Sequence, residues 1–224
     1  MRGTRWWAAA LTAMTLAAPL QAQDARAVVV VLPFENGGSY GQDKETFDAL
    51  EVGLPTILAA TLGAHPGVRV ADQGSAPGGG RRIDAASASQ AAKAAGARYA
   101  VTGSFADFYG KFRINARVVD AQSGEILKVV SNEDPKLQDR AQLAAILQLV
   151  GERIVAAIGL PPYSPEAAAR MRAVPAETLT QYSRGLLFES RGDKAKAADA
   201  YQRALTAYPD YPEAREGLRR VGGA

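Results

Sequence analysis

From Val28 to Leu32 the chain is an unbroken run of β-branched and aliphatic side chains that stops at Pro33. A strand with no polar face must be covered on both sides, so the run demands a layered α/β sheet, not a bundle or a half-solvated ribbon. The Gly-, Asn- and Ser-rich stretch Phe34–Asp43 predicts a loop. Phe47, Leu50, Leu54, Ile57, Leu58 and Leu62 then share one helical face, with a kink or restart predicted at Gly53 and Pro55. Gly67–Asp72 reads as a second short strand, and the polar Gln73–Arg82 as a flexible connection. Asp84 is placed to cap an alanine-rich helix that Gly96 closes. Arg98–Phe108 predicts a third strand, and Tyr109–Lys111 a tight turn. In the fourth strand Phe112, Ile114, Ala116 and Val118 alternate with Arg113, Asn115 and Arg117. Asp120–Gly124 is the next turn, and Glu125–Ser131 the fifth strand. Leu143, Ile146, Leu147, Val150, Ile154 and Ile158 mark a long amphipathic helix that ends at Gly159. The order β-α-β-α-β-β-β-α implies a mixed sheet: parallel crossovers first, an antiparallel meander after.

Arg2 and Arg5 precede an apolar run from Trp6 to Leu20 and small residues around Ala22. This is the pattern of a secretory signal peptide over residues 1–22, with cleavage expected after Ala22. The run is interrupted by Pro19 and is shorter than the ~20 residues of a spanning helix, so no transmembrane helix is expected in the mature chain. Taking Arg2 and Arg5 from the 26 basic residues leaves 24 against 23 acidic ones, a net charge of +1. A nearly neutral protein lacks the electrostatic grip that nucleic-acid binding needs. There is no cysteine and one histidine, His65. That excludes disulfides, thiolate nucleophiles, Cys/His zinc sites and lipidation of the usual kind. The expected location is the periplasm, with peripheral outer-membrane association as the further option.

Three prolines between Leu160 and Pro165 predict a linker, with a short helix completing residues 161–175. Beyond it, Gly185, Phe188, Ala197, Tyr201, Ala204 and Pro209 fall at six of the eight signature positions of a 34-residue tetratricopeptide repeat. Thr178–Tyr211 therefore resembles one such repeat, and Pro212–Val221 its closing helix, giving an all-α module over 176–221. The expected large aromatic and leucine are absent at Gln181 and Arg184. A lone repeat cannot bury its apolar face, which must dock on the sheet domain, on the helix around Ala167–Met171, on a second copy or on another protein. The resemblance implies a partner-binding face at Leu179, Tyr182, Leu186, Glu189 and Ser190. The competing reading is that these five only seal the tail onto its neighbour.

Few other residues suggest chemistry. Gly78–Arg82 lacks the Gly-Lys-Ser/Thr ending of a phosphate loop. Asp120, Ser123 and Glu125 read as hairpin chemistry and not as a cation loop. Glu133, Asp134 and Asp139 suit the start of a helix. His65, before Pro66, is expected at the surface of a helix–strand turn. No catalytic residue, metal site or cofactor is expected.

The phrases VVVVLPFEN (28–36), GVRV (67–70), GARYAVTGSF (96–105) and FRINARVVDAQSGEIL (112–127), in that order, resemble the family of the curli production assembly/transport component. Its relatives include the flagellar-assembly outer-membrane protein and the penicillin-binding-protein activator lipoproteins. The layout over 28–160 is also similar to the amino-terminal domain of the TolB translocation protein. The resemblance implies a non-enzymatic protein-binding role in cell-envelope assembly or secretion, with protein partners. One alternative is an oligomeric outer-membrane secretion component, a homo-oligomer. The membrane hairpins of such channels have no counterpart here, because the sheet and its helices use up the segment. A second alternative is a periplasmic ligand-binding protein or hydrolase that uses the carboxylates around Asp120.

Overall fold

The computed structural model describes residues 25–40, 43–72, 82–133 and 139–222. The stretch 1–22 that reads as a signal peptide, most of the 73–82 connection and Asp134 lie outside them. The elements are β1 (Ala27–Tyr40), α1 (Lys44–Gly63), β2 (Val68–Val70), α2 (Ala85–Ala94), β3 (Tyr99–Phe108), β4 (Lys111–Asp120) and β5 (Ile126–Ser131). After a 3-10 turn at Arg140–Gln142 come α3 (Leu143–Ala157), α4 (Pro165–Arg172), α5 (Ala176–Ser190), α6 (Lys194–Ala207) and α7 (Pro212–Gly222). The fold is mixed α/β with an appended helical module, as the pattern of elements implies.

The sheet order is β2-β1-β3-β4-β5, with β1 parallel to β2 and β3, and β3-β4-β5 antiparallel. Val29, Val30, Val31 and Leu32 are fully buried. Val29 and Val31 face α1 and α3, while Val30 and Leu32 face the alanines of α2. Removing each such side chain from water stabilises the fold by about 1.5–3 kcal/mol. Asp84 caps α2 as expected, its carboxylate accepting from Ser87 N–H at 2.7 Å.

Three expectations are corrected. The predicted loop from Phe34 is strand as far as Tyr40, paired with β3 through register shifts after Val31 and Asn36. Pro33, which has no N–H, sits in the first irregularity, and Asn36 Oδ1 accepts Gly38 N–H (2.9 Å) at the second. The Gly/Asn/Pro composition thus marks bulges. Nor does α1 restart at Pro55: one helix runs from Lys44 to Gly63. Packing on both flanks outweighs the proline penalty, and Gly53 is the point where α1 meets α5. A Cβ there would lie 1.9 Å from Ser183 Oγ. Finally, His65 is buried. Its Nδ1 accepts Gly67 N–H and its Nε2 lies 3.0 Å from the Pro161 carbonyl.

That histidine also fastens the proline-rich segment. Tyr163 stands edge-on to His65 at 5.3 Å and donates its hydroxyl to the Thr61 carbonyl at 3.0 Å. Ser164 then caps α4, with Pro165 in its first turn, where the missing N–H costs nothing. In the tail, α5 and α6 form an antiparallel hairpin closed by α7. Tyr201 is fully buried between Gly185 and Gly217, where an added Cβ would come within 2.3 and 2.5 Å of its ring. The leftover face of the hairpin docks on α1, the first of the four destinations open to it, and one continuous apolar core joins the sheet to the tail.

Candidate protein-binding surface

The five tail residues do not form one open face. Leu179 and Tyr182 are buried, Leu186 and Glu189 are half-buried, and Ser190 is exposed with its hydroxyl donating to the Leu187 carbonyl. Tyr182 packs 5.8 Å from Tyr201 and edge-on to Tyr211 at 5.4 Å, and burial pushes its pKa up to about 12. Glu189 accepts from Arg220 Nε (2.9 Å) and Nη2 (3.0 Å) and from the Tyr201 hydroxyl. The Arg220 hydrogen bonds, aided by Tyr201, hold the Glu189 carboxyl below its ordinary value against the opposing effect of burial. Another side of α5 belongs to α1: Arg184 donates to Thr46 Oγ1 (2.9 Å), and Arg191 pairs with Asp48 (3.3 Å).

A cavity of about 390 Å³ lies where α1, α3, α4, α5 and the α6–α7 turn converge. Of the five residues only Leu179 reaches it. Ile57, Ala60, Ala64, Leu147 and Met171 are among its apolar walls, and Arg170, Asp210 and Glu213 are its charged lining residues. Asp210 is turned outward to Arg215 at 3.1 Å. Asp120, the carboxylate of the hydrolase alternative, is bound by its own hairpin. Its oxygens take Gln122 and Ser123 N–H and, at 2.7 Å, Arg98 Nη2. Burial raises its pKa, but those two amides and Arg98 together bring it below the usual range. Among the described residues, no group of three or more His, Cys, Asp or Glu is arranged to hold a metal ion. No helix among them is long and apolar enough to cross a membrane.

Unburied apolar surface gathers elsewhere. Five large hydrophobic residues are exposed among those described, and three lie on β5: Ile126 (43%), Leu127 (43%) and Val129 (58%). The other two, Phe108 and Tyr109, are at the β3–β4 turn, where Tyr109 and Gly110 both have positive φ. Among the described residues β5 is an edge, with β4 on one side only. Asp120 N–H donates to the Glu125 carbonyl, and Ile114 N–H to the Asn132 side chain, so the even-numbered positions of β4 turn toward β5. By the alternation of an antiparallel ladder, Val129 and Ser131 turn their backbone groups outward. Arg153 of α3 donates to the Ser131 carbonyl.

A groove flanks the strand on each face. Toward α3 it is lined by Lys128, Val130, Arg153, Ala156 and Ala157, with Glu133 at the end of the strand. On the opposite face, beyond the cover of α2, Val129 adjoins Asn115, Arg117, Arg82 and Glu35. Sequence reasoning missed this surface. Glu125–Ser131 reads as an ordinary strand, and only the pairing order makes it an edge.

No family model and no curated protein matches the chain. Among solved structures, TolB from Acinetobacter baumannii is similar at 18% identity and a TM-score of 0.42, over 62% of this chain and 29% of that one. The LpoB C-terminal domain from Escherichia coli is similar at 16% identity and a TM-score of 0.37, over 48% of this chain and 82% of that one. The chain thus spans less than a third of the TolB it matches. Both likenesses are partial, and the functional reading rests on the chain's own residues.

Proposed function

We propose that this is an exported, non-enzymatic protein-binding adaptor of the bacterial cell envelope, working in the periplasm after loss of the 1–22 leader. In this reading residues 28–160 form the α/β scaffold, and 176–221 a single tetratricopeptide-like repeat with its cap. The Tyr201 ring between Gly185 and Gly217 supports the repeat assignment. The observation that carries the functional reading is the concentration of exposed apolar side chains on the edge strand β5. Clustered apolar exposure of this kind marks an interaction surface. The test is a photoreactive amino acid placed at Ile126 or, as a control, at exposed Gln202 on α6. Illumination in the native envelope should yield one dominant protein adduct at Ile126 and none at Gln202. Equal labelling at both, or none at Ile126, removes the reading.

The cavity of about 390 Å³ favours a second reading, binding of a small apolar ligand, since such sites span roughly 300–1,000 Å³. A ligand that raised the melting temperature of the native chain, but not of an Ala64→Trp variant, would support it.

A further inference from the structure

We infer that β5 receives an extended segment of the partner protein as a sixth strand, and that this segment alternates carboxylate with apolar side chains; the inference rests on the protein-binding reading above. The backbone sets the form of the occupant. Val129 turns its N–H and carbonyl, and Ser131 its N–H, away from β4, while the Ser131 carbonyl takes Arg153, so a strand laid alongside finds donors and an acceptor at the ladder spacing. The outer flank of α3 presents Ala156 and Ala157, short residues that leave room beside β5 for side chains of an added strand.

Charge sets the chemistry. In an added strand, side chains point alternately to the two faces. Those on the α3 side meet Lys128 and Arg153, two cations against the single carboxylate of Glu133 at the strand's end. Those on the other side have exposed Val129 as their nearest cross-strand neighbour, where Lys128 holds that place on the α3 side; Arg117, Arg82 and Glu35 surround it. A carboxylate is matched on the first side and an aliphatic side chain on the second, so the preferred segment has period two. Proteins commonly guard an edge with lysine to prevent such pairing, and Lys128 is one. A lone lysine repels a basic or greasy strand but attracts an acidic one, so the guard works as a filter.

The probes are a fluorescent Val-Glu-Val-Glu-Val-Glu-Val peptide and its lysine counterpart, titrated against the full chain. The glutamate peptide should bind and slow amide exchange at Val129 and Ser131. Val129→Pro removes an outward N–H that the β4 ladder does not use, and should weaken binding by about tenfold or more without lowering the melting temperature appreciably. Lys128→Glu/Arg153→Glu should reverse the preference to the lysine peptide. Failure of the glutamate peptide to bind, equal binding to Val129→Pro, or equal binding of both peptides to the native chain overturns the inference. An Ile126 adduct that persists undiminished in Val129→Pro would also overturn strand addition, while leaving the protein-binding reading intact.

Discussion

The helical tail and the β5 edge treat apolar side chains in opposite ways. In the tail, Tyr182, Tyr201 and Tyr211 are enclosed, with glycines at two faces of one ring and an Arg220–Glu189 pair latching α7 over the cluster. At the edge, Ile126, Leu127 and Val129 stay in water beside lysine and arginine. The tail residues that resemble a recognition repeat pack mostly on one another, with Ala197, Tyr201 and Ala204 fully enclosed, while an ordinary-looking strand is left open. A sequence signature therefore locates a structural unit more reliably than it locates the surface that meets other molecules.

The largest test of the contrast is Tyr182→Ala. If the tail is sealed, truncating this buried aromatic costs about 3–5 kcal/mol in chemical denaturation and leaves the Ile126 adduct unchanged under native conditions. Loss of the adduct without loss of stability would return the binding face to α5. Gly53→Val forces side-chain atoms into Ser183 and should destabilise by about 1–3 kcal/mol, with limited proteolysis opening the 160–175 segment first. His65→Ala strips the acceptor from Gly67 N–H and the partner from Pro161 and should cost about 1–3 kcal/mol, read from thermal melts, again with binding retained.

A smaller effect depends on pH. The Glu189 carboxyl is lowered in the folded chain, so its contribution is present above the ordinary value of 4.5 and fades as pH falls through the lower folded value. Glu189→Gln should flatten the acid limb of the stability profile between those two values, measured by urea unfolding at several pH values. The smallest effect on stability belongs to the edge. Ile126→Ser with Val129→Ser should stay within about 0.5 kcal/mol of the parent, yet abolish the crosslinked adduct seen from a probe at Leu127. A large stability loss there would mean that the strand is a packed element like the tail.

Much of the scaffold is legible in residue order alone. Val28–Leu32 announces a strand covered on both faces, the alternation at 112–118 names the inward side of β4, and Asp84 marks the start of α2. What escapes depends on contacts distant in sequence. Phe34–Tyr40 reads as a loop because bulges and loops draw on the same small and polar residues. Pro55 reads as a kink or restart because local propensity cannot see α5 and the sheet that pack on α1 and keep it one helix. His65 reads as solvent-facing because its partner, the Pro161 carbonyl, lies 96 residues away. The open edge is hardest of all to see, since β5 becomes an edge only when β1 takes the place between β2 and β3.

The crossing of Gly53 and Ser183 bears on how such a protein can be rearranged. A helical tail mounted like a cartridge, exchangeable between scaffolds, would need a neutral joint; this one is keyed. Excise the tail, and α1 keeps a glycine that costs it about 1 kcal/mol relative to alanine, with no neighbour left to repay the weakness. Graft the tail onto a foreign helix bearing any larger residue at the crossing, and it cannot seat. The two parts are therefore bound to drift through evolution as a single inheritance.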